Sequence, residues 1–197
     1  MNEILVLYYS KSGSVKELAS FIARGINSVE GAEAKIRTVP EIFPEINIQK
    51  PSIPETGSLY ATLDDLSNCS GLALGSPTRF GNMAAPLKYF IDTATQLWLK
   101  GSLENKPACV FTSSSSLHGG NESTLLSMHI PLFHMGMIVL GLPYSNPELA
   151  KTISGGTPYG ASHVGNGKKT TSISEEEKKL CIAQGIRLAE VSLKLTK

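Results

Sequence analysis

The first fifteen residues constrain this chain more than any other segment. An apolar run over residues 4–9 leads directly into the polar stretch Ser10–Ser14, and apolar residues then recur at helical spacing from Val15 onward. This pattern predicts a buried strand, a short loop and a helix that begins at Ser14. A helix N-terminus carries unpaired N–H groups and a partial positive charge, and Gly13 lets the backbone curl around an anion. With serine hydroxyls at alternate positions, the segment is a candidate phosphate site.

Two common phosphate-binding motifs are absent from this region. The sequence contains no G-x-x-x-x-G-K-[ST], so an ATPase-type loop is excluded, and no G-x-G-x-x-G follows the strand, which argues against a dinucleotide-binding turn. The alternative to a phosphate site is an ordinary capped turn between a strand and a helix, without a ligand. Evidence from other segments has to decide between the two.

Size and composition narrow the class of protein. The chain has 197 residues and a net charge of +1, which predicts one α/β domain without the basic surface of a nucleic-acid binder. No signal peptide and no membrane-spanning apolar stretch are visible, so we expect a cytoplasmic protein. The three cysteines are scattered, so buried thiols are expected rather than disulfides. The histidines lack metal-ligand spacing, and no metal site is predicted.

Strand and helix patterns alternate along the chain. Strands are predicted over residues 4–9, 34–39, 71–74, 108–112 and 137–140, and helices over 14–23, 59–66, 86–95, 124–135 and 174–195. Pro131 is expected to kink the fourth helix, and Ser174-x-x-Glu177 forms a capping box at the start of the last. This alternation predicts an α/β fold with a doubly wound parallel sheet of five strands in the flavodoxin-like order 2-1-3-4-5.

Two connections are longer than a minimal domain of this kind needs. Residues 40–58 include four prolines, and residues 141–173 are rich in Gly, Pro and Ser. Ordered loops longer than about 15 residues are uncommon unless they serve a function. Because both segments also contain apolar residues, we expect them to cover a site or a subunit contact within a single domain, residues 1–197.

Three predicted strands end in unusual sequence, and parallel strands end at the same edge of their sheet. The segments are 10–15, 76–83 and 112–120. A planar flavin needs an apolar face, backbone donors at its pyrimidine edge and little steric bulk. Phe80 can supply the face, Gly81 and the glycines at 119 and 120 can bring N–H groups close, and Arg79 can place positive charge near that edge. Taken singly, each segment could equally be a plain turn or a flexible loop.

At this point a resemblance to a known family becomes specific. The first loop is similar to the flavodoxin phosphate loop, [ST]-x-[ST]-G-x-[ST], which holds the phosphate of FMN. Beyond it, the chain resembles the WrbA family, flavodoxin-like NAD(P)H:quinone oxidoreductases first described as tryptophan-repressor-binding proteins. The resemblance extends over nearly the whole chain. It rests on Tyr8-Tyr9-Ser10-x-x-Gly13, Gly75-Ser76-Pro77-Thr78-Arg79-Phe80-Gly81-Asn82-Met83, Leu97-Trp98, Gly119-Gly120-x-Glu122, His134-x-Gly136-Met137 and Gly155-Gly156-Thr157-Pro158-Tyr159-Gly160-Ala161.

The resemblance implies a set of binding residues. Those expected to hold FMN are Ser10, Lys11, Ser12, Gly13, Ser14 and Val15 at the phosphate, Pro77, Thr78, Arg79, Phe80 and Gly81 along the ring, and Ser113, Ser114, Ser115, Ser116, Leu117, His118 and Gly119 at the pyrimidine side and ribityl chain. Trp98 would stack on the substrate as a lid. His134 would complete the pocket from a neighbouring subunit, since the family forms homotetramers that are dimers of dimers.

The chain departs from the family pattern at three positions. Ser12 stands where an aromatic residue or histidine often helps to receive the nicotinamide nucleotide, so Ser12 is also a candidate substrate contact and the choice between NADH and NADPH stays open. Ser14 replaces a frequent histidine but can still serve a phosphate. Many members have His-His-Gly-Met where this chain has His134-Met135, so which of the two positions faces the flavin also stays open.

The predicted function is FMN-dependent, two-electron reduction of quinones by NAD(P)H, with a ping-pong order in which the oxidised nucleotide leaves before the quinone enters. The flavin carries the chemistry, so no catalytic side chain is assigned. Two alternatives belong to other classes of protein: a one-electron carrier of the flavodoxin type and a non-enzymatic regulatory protein. The near-neutral charge disfavours the carrier, and the absence of a basic stripe or a helix-turn-helix pattern disfavours the regulator.

Overall fold

A computed structural model describes residues 1–43, 53–54, 56–165 and 172–196. The helices are α1 (Ser14–Asn27), α2 (Leu63–Asn68), α3 (Ala85–Thr93), α4 (Thr95–Leu99), α5 (Asn121–His134), α6 (Glu148–Lys151) and α7 (Glu175–Leu195). The strands are β1 (Asn2–Tyr8), β2 (Ala32–Thr38), β3 (Gly71–Pro77), β4 (Pro107–Ser114), β5 (Ile138–Val139) and β6 (Ala161–Val164). Within these ranges, no helix is both long enough and apolar enough to cross a membrane.

The strands form one parallel sheet in the order β2-β1-β3-β4-β5, with β6 also paired to β4. This confirms the predicted α/β fold and strand order. Successive residues of β1 point to opposite faces, so Ile4 and Val6 pack toward α1 and α7, while Leu5 and Leu7 pack toward the layer of α2, α3 and α5. The sheet is therefore buried on both faces, as a doubly wound fold requires.

The prediction of five strands was wrong at the β4 edge of the sheet. Strand β5 pairs with the first two residues of β4, Pro107 and Ala108, whereas β6 pairs with Phe111–Ser114 at its other end. Two short strands thus share the fifth position, and residues 140–160 pass out of the sheet between them. The β6 strand lies inside the connection 141–173, which was expected to be a loop. The sequence did not reveal this strand, because it has only four residues and Gly-rich flanks.

Several boundaries also differ from the prediction. Helix α2 begins at Leu63 rather than at residue 59, because Thr62 and Asp65 form a capping box there and Tyr60 bridges to Thr38 in extended conformation. Strand β3 continues to Pro77 instead of stopping at Leu74, and α5 begins at Asn121. Of the long connection 40–58, residues 44–52 and 55 lie outside the described residues, so the expectation that it covers a site is untested there.

Helices α1 and α7 pack at unusually short range on one face of the sheet. A Cβ atom on Gly25 of α1 would lie 2.2 Å from the carbonyl oxygen of Ile182, and one on Gly185 of α7 would lie 2.1 Å from that of Ile22. Each helix therefore presents a glycine to the backbone of the other. The C-terminal half of α1 is thereby packed directly against the backbone of α7.

Glu177 ties β6 to the N-terminus of α7. Its carboxylate accepts hydrogen bonds from the amides of Gly155 (2.8 Å), Val164 (3.2 Å) and Ser174 (2.9 Å) and contacts Nδ1 of His163 at 2.8 Å. Both Glu177 and His163 are 1% exposed. Burial acts to raise the pKa of Glu177, but the bonds from His163 and the Ser174 amide outweigh it and hold the pKa below its ordinary value.

We expect Glu177→Gln to destabilise the fold by roughly 3–5 kcal/mol at pH 7, because removing one partner of a buried polar cluster leaves the others unpaired. Since the folded pKa lies below the unfolded one, the stabilisation is complete above the unfolded pKa and is lost as pH falls through the folded pKa. Urea denaturation at several pH values should show the two proteins converging below about pH 4. Glu176→Gln, on the same helix turn, is the control, and an equal loss there, or a loss independent of pH, would contradict the assignment.

Candidate functional site

Three loops meet at the carboxyl edge of the sheet. The β1 loop (residues 9–13), the β3 loop (78–84) and the β4 loop (115–120) follow three neighbouring, parallel strands. Ligands of open α/β sheets bind outside this edge, where the order of the strands reverses. In this fold the reversal lies between β1 and β3, so the predicted phosphate loop stands at the switch point.

The β1 loop leaves the N-terminus of α1 open. Gly13 is the N-cap with φ 100°, no side chain caps the helix, and the helix begins at Ser14 as predicted. The amide of Gly13 donates to Oγ of Ser10 at 3.1 Å, so this hydroxyl closes the loop itself. The first-turn N–H groups have no partner within the helix, and the neighbouring Lys11 and Ser12 are exposed.

The β3 and β4 loops are joined through Thr78. Its amide donates to the carbonyl of Ser113 at 2.9 Å, and its hydroxyl reaches the Gly120 carbonyl at 3.3 Å and contacts the hydroxyl of Thr124. A Cβ on Gly120 would stand 3.3 Å from Cα of Gly81, so the two loops touch through glycines. These contacts bring the backbones of the two loops close together, with the hydroxyl of Ser123 beside both glycines, 3.0 Å from the Cβ position of each.

Phe80 is the most unusual residue of the edge. It has φ 53°, a left-handed conformation that is rare for a bulky residue, and its ring is fully exposed. The turn around it is fixed by paired backbone bonds between Arg79 and Asn82, at 2.8 and 3.0 Å. Neighbouring Arg79 is exposed, and its guanidinium donates to the carbonyl of Thr78 at 2.8 Å. The loop thus holds an apolar ring and a cation side by side at the surface.

The serine run is divided between strand and loop. Ser113 and Ser114 are buried within β4, and Oγ of Ser114 donates to the carbonyl of Ser116 at 2.7 Å. The exposed residues are Ser115, Ser116, Leu117 and His118. Strand β4 therefore continues two residues beyond the predicted strand 108–112, and the exposed side chains of the run begin at Ser115. Pro77 is likewise buried, as the last residue of β3.

A cluster around Glu41 was missed from the sequence. The Tyr9 hydroxyl donates to Oε1 of Glu41 at 3.0 Å, and the Lys11 ammonium forms an ion pair with the same oxygen. Burial and then Glu41 raise the pKa of Tyr9 to about 12. The strand order contained the signal: β2 adjoins β1, so a residue just beyond β2 lies next to the β1 loop.

Trp98 and His134 lie away from this edge of the sheet. Helix α5 starts at the β4 loop and runs 14 residues to His134, which places that residue about 20 Å further along. Trp98 and His134 instead line one groove of about 450 Å³ together with Ile130 and Pro131. Met135 is buried in the core while His134 is exposed. Both candidates line the groove, His134 as an exposed residue and Met135 as a buried one.

Comparison with known proteins decides the family. The model of the family described as NADPH-dependent FMN reductase matches residues 3–149. The chain belongs to this family. It is 42% identical over 198 residues to an NAD(P)H dehydrogenase (quinone) of Acidithiobacillus ferrooxidans and 39% identical over 202 residues to one of Syntrophobacter fumaroxidans, with 99% of each chain covered in both cases. The resemblance seen in the sequence motifs is confirmed.

A solved structure supports the fold. A WrbA-like flavodoxin from Agrobacterium tumefaciens aligns with a TM-score of 0.71 at 19% identity, covering 98% of this chain and 99% of the other. At this level of identity the likeness concerns architecture. It agrees with the flavodoxin-like order of the strands described above.

Replacing Phe80 tests whether its backbone is strained. We expect the free energy of unfolding of Phe80→Gly to be about 1 kcal/mol higher than that of Phe80→Ala. Both variants lack the exposed ring, but only glycine adopts a positive φ without cost. Chemical denaturation of the two variants measures the difference. As a control, the same pair of substitutions at Tyr89, in the middle of α3, should favour alanine. A lower stability for Phe80→Gly would show that the loop is not strained.

Proposed function

We propose that this protein is an FMN-dependent oxidoreductase that passes two electrons from NADH or NADPH to a quinone. The observation that carries the proposal is the convergence of the β1, β3 and β4 loops on an open helix N-terminus at the switch point. It supports a phosphorylated, planar ligand. Relatives of nearly the same length at about 40% identity are named NAD(P)H dehydrogenase (quinone), which supports the choice of reaction.

The described residues fit FMN. The uncapped first turn of α1, with the hydroxyls of Ser12 and Ser14 and the Gly13 backbone, would hold the phosphate. The glycine contact between the β3 and β4 loops leaves backbone donors near the surface, and Ser115–Gly119 would contact the pyrimidine side and the ribityl chain. The exposed ring of Phe80 would lie along the flavin with Thr78 and Gly81. Because Ser113, Ser114 and Pro77 are buried in strands, they would contribute backbone atoms only.

When bound, FMN supplies the hydride chemistry, accepting two electrons from the nucleotide and returning them to the quinone. Arg79 would stabilise negative charge at the pyrimidine edge, because its guanidinium is permanently charged and lies at the rim of the site. Ser12 would receive the nicotinamide nucleotide. A single apolar slot beside Phe80 would serve nucleotide and quinone in turn, which requires a ping-pong order.

The Trp98 groove would complete the pocket of another subunit. Trp98, Ile130 and Phe133 are each at least half exposed, which is a large apolar area for one face of a monomer. His134 lies among them. We place this face in the interface of a homotetramer, a dimer of dimers, where Trp98 and His134 would cover the flavin of a neighbour. We also propose that the enzyme is cytoplasmic.

An anaerobic titration tests the reaction. Protein reconstituted with FMN should lose its flavin absorbance on addition of one equivalent of NADH or NADPH and regain it on addition of benzoquinone. Steady-state rates at several fixed quinone concentrations should give parallel double-reciprocal lines. Bound flavin that neither nucleotide reduces would overturn the oxidoreductase and favour a one-electron carrier.

A single charge in the groove tests the tetramer. Ile130→Glu should lower the mass measured by light scattering and abolish most quinone turnover, because Trp98 and His134 would no longer reach a neighbouring site. Flavin binding should persist, since the three loops lie in one chain. Ile153→Glu, at a residue that is 95% exposed and does not line the groove, should change neither. Full turnover by a monomeric Ile130→Glu variant would contradict the shared pocket.

A further inference from the structure

Glu41 connects the edge strand to the β1 loop. It lies three residues beyond the end of β2 and uses Oε1 to accept the Tyr9 hydroxyl and to pair with the Lys11 ammonium. Both partners belong to the β1 loop, on either side of Ser10. The carboxylate therefore stands beside the opening at the N-terminus of α1.

The two partners of Glu41, Tyr9 and Lys11, differ in how firmly they are held. Tyr9 is 8% exposed, and its raised pKa, about 12, keeps the phenol protonated as a donor at neutral pH. Hydrogen bonds from Lys11 and Tyr9 lower the pKa of Glu41, so the carboxylate is charged under the same conditions. Lys11 is exposed on a flexible four-carbon stem. Glu41 is thus held in place by Tyr9, while the ammonium is free to change partners.

Lys11 is the only charged residue within positions 10–15. Lys11 and Lys16 flank a phosphate site at residues 12–14, and the structure shows the Lys11 ammonium engaged by Glu41. The Glu41 carboxylate and a bound phosphate would therefore both attract the Lys11 ammonium. An exposed ion pair of this kind is weak, so a dianion can compete for the lysine.

We infer that Glu41 competes with the ligand's phosphate for Lys11 and so sets how strongly the β1 loop prefers phosphorylated over unphosphorylated flavin. This inference rests on the proposed function, in which the β1 loop holds the phosphate of FMN. It makes Glu41 a residue that determines cofactor specificity without contacting the flavin ring.

A double-mutant cycle with two ligands tests the competition. Dissociation constants for FMN and for riboflavin are measured by quenching of flavin fluorescence at low salt, in wild type, Glu41→Gln, Lys11→Met and the double variant. Glu41→Gln should bind FMN about two- to fivefold more tightly, the range expected from losing an exposed ion pair, with riboflavin unchanged. Lys11→Met should weaken FMN binding more in the Glu41→Gln background than in wild type.

Glu17→Gln is the matched control. It removes a carboxylate from the first turn of α1, close to the same loop, without releasing Lys11. Its effect on FMN should be the same with and without Lys11→Met. Thermal unfolding should confirm that each variant is folded.

The possible failures are distinguishable. Weaker FMN binding by Glu41→Gln, an equal change for riboflavin, or an additive cycle would overturn the competition alone. Wild-type protein that binds riboflavin as tightly as FMN would overturn the placement of the phosphate in the β1 loop, and this inference with it. A Glu17→Gln gain that disappears with Lys11→Met would show that Lys11 is coupled to any nearby carboxylate, and would overturn the specific role of Glu41.

Discussion

Parallel pairing of β1 with both of its neighbours is the constraint on which the rest of this structure depends. With β2 on one side and β3 on the other, every strand of the sheet points in the same direction, and their loops all emerge at one edge. The chain can then place the N-terminus of α1, the exposed ring of Phe80 and the glycine contact together, although Ser14 lies 66 residues from Phe80 and 106 residues from Gly120 in sequence. The location of the site therefore follows from the common direction of the strands, and individual side chains then determine its chemistry.

The β4 edge of the sheet depends on a different kind of interaction. Strand β6 has only four residues and pairs with one strand, so backbone pairing alone gives it little stability. Glu177 adds to this pairing, because its buried carboxylate accepts hydrogen bonds from three amides and contacts His163, which joins β6 and its flanking segments to the start of α7. Glu177, a capping residue of α7, thereby also holds β6 in place next to the carboxyl end of β4.

The parts of this protein that follow local rules were predictable from its sequence. Apolar runs gave the central strands, the capping box gave the start of α7, and the glycine and serines after β1 gave the open N-terminus of α1. The parts that depend on tertiary contact were not. Strand β6 exists only because β4 and Glu177 hold it, Glu41 acquires its role from a strand neighbour, and α4 follows α3 after a single intervening residue. The motif residues Trp98 and His134 were predicted as pocket residues, but no motif records how far they lie from the loops. The length of α5 separates His134 from the β4 loop, and α3 separates Trp98 from the β3 loop.

Helix α5 has one end at the β4 loop and the other in the Trp98 groove, so a single rigid rod touches two distinct places on the surface. In the proposed tetramer the two ends would contact different flavins, and each pocket would be built from residues of two chains. A subunit with a damaged groove would then keep its own cofactor and disable its neighbour's. In a cell that expresses two alleles, such damage would spread through mixed assemblies, and the defect would behave as dominant although every chain still folds.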